Sequence, residues 1–257
     1  MLAAAVAPAA GADRRDDPRR DRAVIEPARD RRGRLDAEQH PEIVARELLG
    51  WTIACRGTAA VLTELEAYHQ DEPAAHSFGG RPTERTKGLF GPPGTAYVYV
   101  SYGIHRCANL VTGPDGSGEA VLLRSAMPVA GAASIRSRRA AGRGIEPSTL
   151  RARDLLTGPG RLAQGLDIRL QDTGRPILRA GTFELDEALE AATDGPIVCC
   201  SPAAAAAVGF DVPVDPSDVL VGPRIGITKA VELPWRFGIR EAHVSKPFPR
   251  HDGLGGS

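Results

Sequence analysis

Residues 95–123 read TAYVYVSYGIHRCANLVTGPDGSGEAVLL, and this stretch decides the fold. Three of its segments are rich in the apolar, β-branched and aromatic residues that favour strands: residues 95–101, 104–111 and 120–123. Tyr102-Gly103 and Pro114-Asp115-Gly116 predict the turns between them. Connections this short join antiparallel strands. The centre of the chain is therefore predicted to be an antiparallel meander.

Segments on both sides of the meander extend a mixed pattern. Predicted helices lie at residues 38–49, 128–141 and 186–193 and after Gly160, and further predicted strands lie at 51–55, 59–67, 219–227 and 237–239. Because no linker interrupts the series, residues 38–250 are predicted to form one domain. Residues 1–37, rich in Ala, Arg and Asp, offer almost no large apolar side chain to bury and predict a disordered tail. Residues 251–257 are expected to be a flexible end.

Composition limits the class of protein. The chain has 257 residues, of which 42% are apolar and 25% charged, an ordinary globular balance. Its 32 basic residues cancel its 32 acidic ones, which excludes a wholly basic nucleic-acid coat but leaves a local basic face open. No run approaches the roughly 20 apolar residues of a membrane helix. The 4 cysteines include no C-x-x-C pair, so the sequence predicts neither a zinc ribbon nor a disulfide framework and fits a reducing compartment.

The tyrosines are clustered in a locally basic part of the chain. All 4 lie between Tyr68 and Tyr102. Residues 81–106 carry Arg81, Arg85, Lys87 and Arg106 against one acidic residue, and residues 124–153 are similarly rich in arginine. Basic charge interleaved with aromatic rings fits nucleic acid, since arginines neutralise phosphates and aromatic faces stack on bases. A solvent-exposed surface in an arginine-rich chain explains these charges equally well. Charge alone does not distinguish a nucleic-acid interface from such a surface.

The segment Thr63-Glu64-Leu65-Glu66-Ala67-Tyr68 places two carboxylates on one predicted strand. Alternation puts Glu64 and Glu66 on the same face, which is therefore not an ordinary apolar core face. Two interpretations are open from the local sequence. One carboxylate beside Tyr68 acts as a general base, or the strand simply faces solvent.

Other motifs carry less information. Gly158-Pro159-Gly160 precedes a predicted helix, where an ordinary cap and a phosphate contact are both open. No predicted strand leads into this turn and no acidic ribose ligand follows, which argues against a dinucleotide site. His69 and His76 lack the spacing of a zinc motif, and no G-x-S-x-G elbow occurs. Cys107 is predicted to be a packed core thiol. We expect no metal and no cofactor.

An ordered series of motifs resembles the alkyladenine DNA glycosylase family, the 3-methyladenine DNA glycosylases. The series comprises Glu66-Ala67-Tyr68, Ala74-Ala75-His76-Ser77, Gly79-Gly80-Arg81, Gly94-Thr95-Ala96-Tyr97-Val98-Tyr99, Tyr102-Gly103, Asn109, Val121-Leu122-Leu123-Arg124, Gly158-Pro159-Gly160-Arg161-Leu162 and Arg224-Ile225-Gly226-Ile227. It covers nearly all of residues 40–245, and the ordered set is specific although no single tripeptide is. The expected fold is α+β: a single mixed domain with a central curved antiparallel sheet, surrounding helices and a protruding β-hairpin.

The resemblance implies a monofunctional glycosylase of base-excision repair that acts on double-stranded DNA containing a damaged purine. It would flip 3-methyladenine or 7-methylguanine, and also hypoxanthine or ethenoadenine, out of the duplex and leave an abasic site. Glu66 would activate a water for attack at C1′, Arg124 would help to hold that water, and the carbonyl of Ile225 would be its third contact. We expect a monomer with no membrane partner, located in the cytoplasm and at the nucleoid if the source is bacterial.

The resemblance also implies roles in binding the base and the DNA. Three residues would form pocket walls that stack on the extruded base: Tyr68, His76 and Tyr99. Asn109 would crowd the amino group of guanine and so screen normal bases. Tyr102 would be a wedge that fills the gap left by the flipped nucleotide. Three arginines would contact phosphates: Arg81, Arg161 and Arg169. Three departures bear on the substrate range: His105 beside the wedge, a loop before His76 that is one residue short, and an abbreviated segment after Ile227 that carries Lys229 and Glu232.

The chemistry of the residues agrees with these roles. An alkylated purine carries positive charge and is a good leaving group, so one carboxylate suffices where hydrolases of stable sugar bonds use two. Glu66 is the expected base rather than Glu64 because it lies two residues from Tyr68 on the same strand face. Lys87, Lys229 and Lys246 match no family nucleophile, so strand cleavage through a covalent amine adduct is not expected.

Two other functions compete with this one. A non-catalytic nucleic-acid-binding module would keep the basic, aromatic face without needing Glu66. A nucleoside hydrolase acting on small molecules would need no duplex and would not depend on Tyr102. The combination of Glu66, Arg124 and Tyr102 disfavours both, since a binding module has no use for a water-holding pair and a small-molecule enzyme has none for a wedge.

Overall fold

The computed structural model describes residues 35–249, so most of the predicted tail and the predicted C-terminal end lie outside the described residues. The strands of this part are β1 Thr52–Cys55, β2 Thr58–Tyr68, β3 Ala96–Ser101, β4 His105–Thr112, β5 Glu119–Ala130, β6 Leu178–Thr182, β7 Ile197–Cys200, β8 Val219–Gly222 and β9 Arg236–Ile239. Its α-helices are α1 Pro41–Glu47, α2 Ala132–Ala141, α3 Pro159–Gly165, α4 Leu185–Ala191 and α5 Pro202–Ala206. None of the helices within residues 35–249 is long and apolar enough to cross a membrane.

The strands form one curled, mostly antiparallel sheet. Its order is β3-β4-β5-β2-β1-β7-β6, and β8 and β9 join it through the pairing of β9 with β2. Strand β2 organises the sheet, because β5 pairs along its length while β1 and β9 pair with its first and second parts. Register shifts beside Glu64 bulge the β2–β5 pair, and bulges bend and twist strands. The predicted α+β fold with a curved antiparallel sheet is confirmed.

Strands β3 and β4 form a hairpin that projects from the sheet. Their register runs from Ala96 opposite Leu110 to Ser101 opposite His105. Tyr102 and Gly103 turn the chain with φ values of 51° and 74°. A left-handed conformation is unusual for a tyrosine, and the side chain of Tyr102 is 88% exposed. The predicted turn and protruding hairpin are therefore present, with an exposed aromatic ring at the tip.

The main core lies between this sheet and helices α1, α2 and α3. It includes Leu62 and Leu65 from β2, Leu123 from β5, Ile135 from α2 and Leu162 from α3, all fully buried. Every residue of β2 except Tyr68 is buried. A strand buried on both faces normally carries apolar side chains, so the two glutamates of β2 need compensating partners.

Two local predictions are wrong, and one pair of strands was not predicted. The helix predicted at 128–141 begins only at Ala132, because Pro128 pairs with Ala60 in the sheet and Gly131, at φ 67°, ends the strand. The strand predicted at 219–227 stops at Gly222, which leaves Ile225 in a loop. Strands β6 and β7 were not expected, and they form the parallel pair of this otherwise antiparallel sheet.

Candidate active site

Strand β2 carries two carboxylates into the interior of the sheet. Glu64 and Glu66 are both fully buried, so the interpretation of this segment as a solvent-facing strand is wrong. Glu66 lies opposite Leu122 of β5 on one side and Arg236 of β9 on the other. The two carboxylates share Arg124 of β5, which fits the predicted placement of both on one strand face.

Glu66 accepts hydrogen bonds from three elements of the fold. Oε2 accepts from the Tyr68 hydroxyl at 2.9 Å and from Nη1 of Arg124 at 3.1 Å. Oε1 accepts from the backbone N–H of Ile225 at 2.7 Å. Ile225 thus contacts the carboxylate through its backbone N–H. The predicted contact is a different one, between the Ile225 carbonyl and the reacting water. Since each carboxylate oxygen has two lone pairs, Oε1 keeps one for a further donor.

Glu64 is held far more completely. Oε1 accepts from Nε of Arg124 at 3.3 Å, from Nε of Arg236 at 2.7 Å and from the Ser245 hydroxyl at 2.7 Å. Oε2 accepts from the Ser125 hydroxyl at 2.5 Å and from the Ser245 N–H at 2.6 Å. Five donors saturate this carboxylate, which therefore has no free acceptor for a reacting water.

The two environments move the carboxyl pKa values in opposite directions. Burial alone would raise the pKa of Glu64, but Arg124 and Arg236, helped by the two serines, outweigh it and lower that pKa. Burial raises the pKa of Glu66, and the opposing effects of Arg124, the Ile225 N–H and Tyr68 do not cancel it. Two nearby carboxyls with separated pKa values are typical of sites where only one of them exchanges protons.

A cavity of about 480 Å³ opens beside the three hydrogen-bond partners of Glu66, and Glu66 itself lies behind them, outside the lining. Its walls come from the end of β2, the loop before the first 3-10 helix, strands β3, β4 and β5, the start of α3 and the loop after β8. The lining includes the four predicted base-binding residues, the predicted wedge, and two further partners of Glu66 besides Tyr68: Tyr68, His76, Tyr99 and Asn109, then Tyr102, then Arg124 and Ile225. This volume lies in the range of small-molecule binding sites. The structure thus brings most predicted site residues to one place.

The aromatic walls are packed against one another. His76 meets Tyr99 edge-on with ring centroids 4.4 Å apart, and Tyr97 stacks on Tyr99 at 5.6 Å. Burial, together with the charge of Arg85, lowers the pKa of His76, so its imidazole is neutral at neutral pH. Tyr97 also lines the cavity, and it is a site residue that the sequence interpretation missed although it lies within the tyrosine cluster.

A buried arginine supports the wall formed by Tyr68. The guanidinium of Arg224 lies 4.6 Å from the centroid of the Tyr68 ring. It pairs with both oxygens of Glu72, at 2.6 and 2.9 Å, and donates to the carbonyl of Ala67 at 3.0 Å. Arg224 therefore ties the loop that leads to His76 to the loop that carries Ile225. Arg224 was not predicted as a site residue, although its place in the motif Arg224-Ile225-Gly226-Ile227 could have indicated it.

Two predicted specificity residues occupy distinct parts of the site. Asn109 is buried in the cavity wall, and its Nδ2 donates to the carbonyl of Tyr97 at 3.0 Å, which fixes the amide. Tyr102 stands at the cavity mouth on the tip of the β3–β4 hairpin. Helix α3 packs against the hairpin beside its tip, since a Cβ on Gly160 would come within 3.0 Å of His105, which pairs with Ser101.

The predicted phosphate-binding arginines are spread over the surface. Arg81 is exposed and has no ion pair with any described residue. Arg161 follows the cavity-lining Pro159 and pairs with Asp154 at 3.2 Å. Arg169 pairs with Asp167 and lines a separate groove beside Arg56. The structure therefore does not bring Arg169 to the cavity.

Other chemistries lack the residues they need. Within residues 35–249 no group of three His, Cys, Asp or Glu side chains is placed to hold a metal ion. Cys107 lines the cavity, but burial raises the pKa of its thiol and keeps it protonated. None of the three lysines, all of them within the described part, lines the cavity. A nucleophilic amine or thiolate is thus absent from the described cavity wall.

Comparison with known proteins gives consistent matches. Residues 36–243 match a family model described as methylpurine-DNA glycosylase. Three similar curated proteins are each named "Putative 3-methyladenine DNA glycosylase". One from Rhodopseudomonas palustris is 45% identical over 208 residues, covering 80% of this chain and 84% of the relative. One from Bradyrhizobium diazoefficiens is 40% identical over 208 residues (80% and 86%), and one from Nitrosospira multiformis is 39% identical over 210 residues (81% and 91%).

Proposed function

The chain belongs to the methylpurine-DNA glycosylase family, and from this premise we propose which bases it removes and how. It is a 3-methyladenine DNA glycosylase of base-excision repair, a hydrolase of N-glycosyl bonds in DNA with damaged bases. Its substrates are 3-methyladenine and 7-methylguanine, with hypoxanthine and ethenoadenine as slower ones. The observation that carries the proposal is a buried carboxylate, Glu66, beside an aromatic cavity whose wall includes its partners Tyr68, Arg124 and Ile225.

Glu66 is the general base of the reaction. A water that donates to the open lone pair of Oε1 loses its proton to Glu66 as its oxygen bonds to C1′. The bond from C1′ to the purine nitrogen breaks, and the purine keeps the electron pair. A cationic alkylated purine leaves as a neutral base. The raised pKa of Glu66 supports this role, because a more basic carboxylate accepts a proton more readily. Arg124 and the carbonyl of Ile225 hold the water.

The flipped base is held by the aromatic walls of the cavity. Tyr68, His76 and Tyr99 stack on the base, and stacking contributes about 1–3 kcal/mol per base. Electron-rich tyrosine faces attract the positive charge of an alkylated purine. A neutral His76 adds no repulsion to a cationic base. Asn109, whose amide is fixed by the Tyr97 carbonyl, crowds the amino group of guanine.

Extrusion of the nucleotide relies on Tyr102. Glycosylases cannot reach C1′ of a stacked base, so they flip it and pay the unstacking energy. A protruding ring that is 88% exposed fills the gap in the stack without reorganising the fold. Arg81, Arg161 and Arg169 contact phosphates of the duplex. Because of its distance from the cavity, Arg169 acts on DNA away from the flipped nucleotide. The enzyme acts as a monomer.

The test is base release by the purified protein under single-turnover conditions. The substrates are methylated duplex DNA, scored by chromatography for free 3-methyladenine and 7-methylguanine, and a duplex oligonucleotide with one hypoxanthine. The proposal predicts release of the methylated bases and slower release of hypoxanthine. Tight binding to damaged duplex without release of any base would refute it and favour a non-catalytic binding module. An enzyme–DNA adduct trapped by borohydride would contradict the monofunctional mechanism.

A further inference from the structure

Behind Glu66 lies a buried row of alternating charges. Arg236, Glu64, Arg124 and Glu66 follow one another, joined by contacts of 2.7, 3.3 and 3.1 Å. Only Glu66, at one end, has an acceptor site left for water. Arg236 and Glu64 have no chemistry of their own in the proposed reaction, whereas Arg124 helps to hold the water. The contacts within the row decide how the guanidinium of Arg124 is oriented toward Glu66.

The C-terminal segment 243–248 closes this row from outside the sheet. The Ser245 hydroxyl donates to Oε1 of Glu64 at 2.7 Å and accepts from Nη2 of Arg124 at 3.1 Å. The segment is fixed at both ends. Thr63 donates to the carbonyl of His243 at 2.9 Å, and the Phe248 ring lies 3.9 Å from the guanidinium of Arg236.

All three guanidinium nitrogens of Arg124 are therefore occupied by different partners. Nε binds Glu64, Nη1 binds Glu66 and Nη2 binds Ser245. A planar guanidinium with three fixed contacts has one orientation. Loss of the Ser245 hydroxyl removes the contact at Nη2 and one donor to Glu64, so the guanidinium can rotate toward Glu64 and away from Glu66. A charge-assisted hydrogen bond is worth enough to change a rate about tenfold if the reaction needs the orientation it fixes.

We propose that Ser245 is a positioning residue for base excision, acting through Arg124 on Glu66, and that segment 243–248 is part of the catalytic architecture. The proposal rests on the proposed role of Glu66 as the base. Ser245 does not line the cavity. It holds the arginine that both fixes the carboxylate and helps to hold the water.

The test compares Ser245→Ala with Ser245→Thr, which keeps the hydroxyl. Ser134→Ala, which changes an exposed serine on α2, is the matched control. We expect Ser245→Ala to slow single-turnover excision about tenfold at a temperature where the variant is folded, with unchanged affinity for damaged duplex. Ser245→Thr should restore the rate, and Ser134→Ala should match wild type.

A second variant tests the electrostatic part of the row. Glu64→Gln removes a negative charge near Glu66 and leaves Arg124 with one carboxylate instead of two. The pH below which excision is lost should therefore move down relative to wild type. A purely structural role for Glu64 would lower the rate at every pH without moving this limb.

The outcomes separate the two proposals. A Ser245→Ala enzyme as fast as wild type, or a Ser245→Thr enzyme as slow as Ser245→Ala, would overturn the role of the Ser245 hydroxyl. An unshifted pH limb in Glu64→Gln would overturn the coupling through Arg124. If Glu66→Gln is as active as wild type, the proposed function itself has failed, whatever the Ser245 variants do.

Discussion

Replacing Arg224 with methionine should both destabilise the domain and slow excision. The Arg224 side chain is 0% exposed and that of its partner Glu72 is 6% exposed, so neither charge has access to water. Methionine fills a similar volume without any donor. The variant leaves the carboxylate of Glu72 buried, with the Ala74 N–H as its remaining donor among the described residues.

The expected cost follows from that orphaned charge. Removing one partner of a buried ion pair costs about 3–5 kcal/mol of the free energy of unfolding. For a domain of this size each kcal/mol lowers the melting temperature by about 2–4 °C. Arg224→Met should therefore melt about 6–20 °C below wild type. Arg240→Met is the control, because Arg240 and its partner Asp218 are each 54% exposed and such surface pairs contribute about 0–1 kcal/mol.

The assay is urea unfolding of Arg224→Met, of Glu72→Gln and of the double variant that carries both changes. The double variant contains no buried unpaired charge, so it should be more stable than the sum of the two single losses predicts. Excision by Arg224→Met should also be slower at a temperature where the variant is folded, since the residue stacks on Tyr68 and precedes Ile225. A stability loss below about 1 kcal/mol, or strictly additive losses, would refute the argument.

Three further predictions concern the cavity and its mouth. Burial raises the pKa of Glu66 above its ordinary value of 4.5, and the base must be ionised to act. Excision should therefore fall as pH drops through a value above 4.5. A single-turnover pH profile with its acidic limb at or below 4.5 would contradict this. Tyr102→Ala should slow excision about tenfold, which corresponds to one lost stacking contact, and Tyr102→Phe should retain the rate. The melting temperature of Tyr102→Ala should be unchanged because the ring is exposed. Equal excision rates for wild type and both variants would argue against a wedge. Asn109→Ser should release unmodified guanine from duplex DNA, detected by chromatography, because the smaller side chain leaves room for the amino group; release of alkylated bases alone would contradict a screening role.

Features set by local sequence could be predicted. The Tyr- and Val-rich strands around Tyr102-Gly103 form the β3–β4 hairpin, because a short turn between strand-forming segments has few alternatives. Glu64 and Glu66 lie on one face of a strand as alternation requires, and both reach Arg124.

Features set by distant partners could not be predicted. The burial of Glu64 depends on Arg236 and Ser245, which lie 172 and 181 residues further along the chain. The local sequence pattern gives no indication of those partners, so it did not exclude a solvent-facing strand. The same holds for Pro128, whose place in β5 is set by pairing with β2 and not by its own preference. The loop position of Ile225 likewise follows from its bond to Glu66.

The central claim is that Glu66 is the base of a hydrolytic excision, and one measurement tests it most directly. Single-turnover release of 3-methyladenine from methylated duplex DNA is compared for wild type, Glu66→Gln and the exposed control Glu84→Gln, with affinity for damaged duplex measured in parallel. Glutamine keeps the shape of the side chain and removes its basicity. The account predicts a loss of at least about 100-fold for Glu66→Gln with affinity retained, and no loss for Glu84→Gln. Release by Glu66→Gln at the wild-type rate would contradict it.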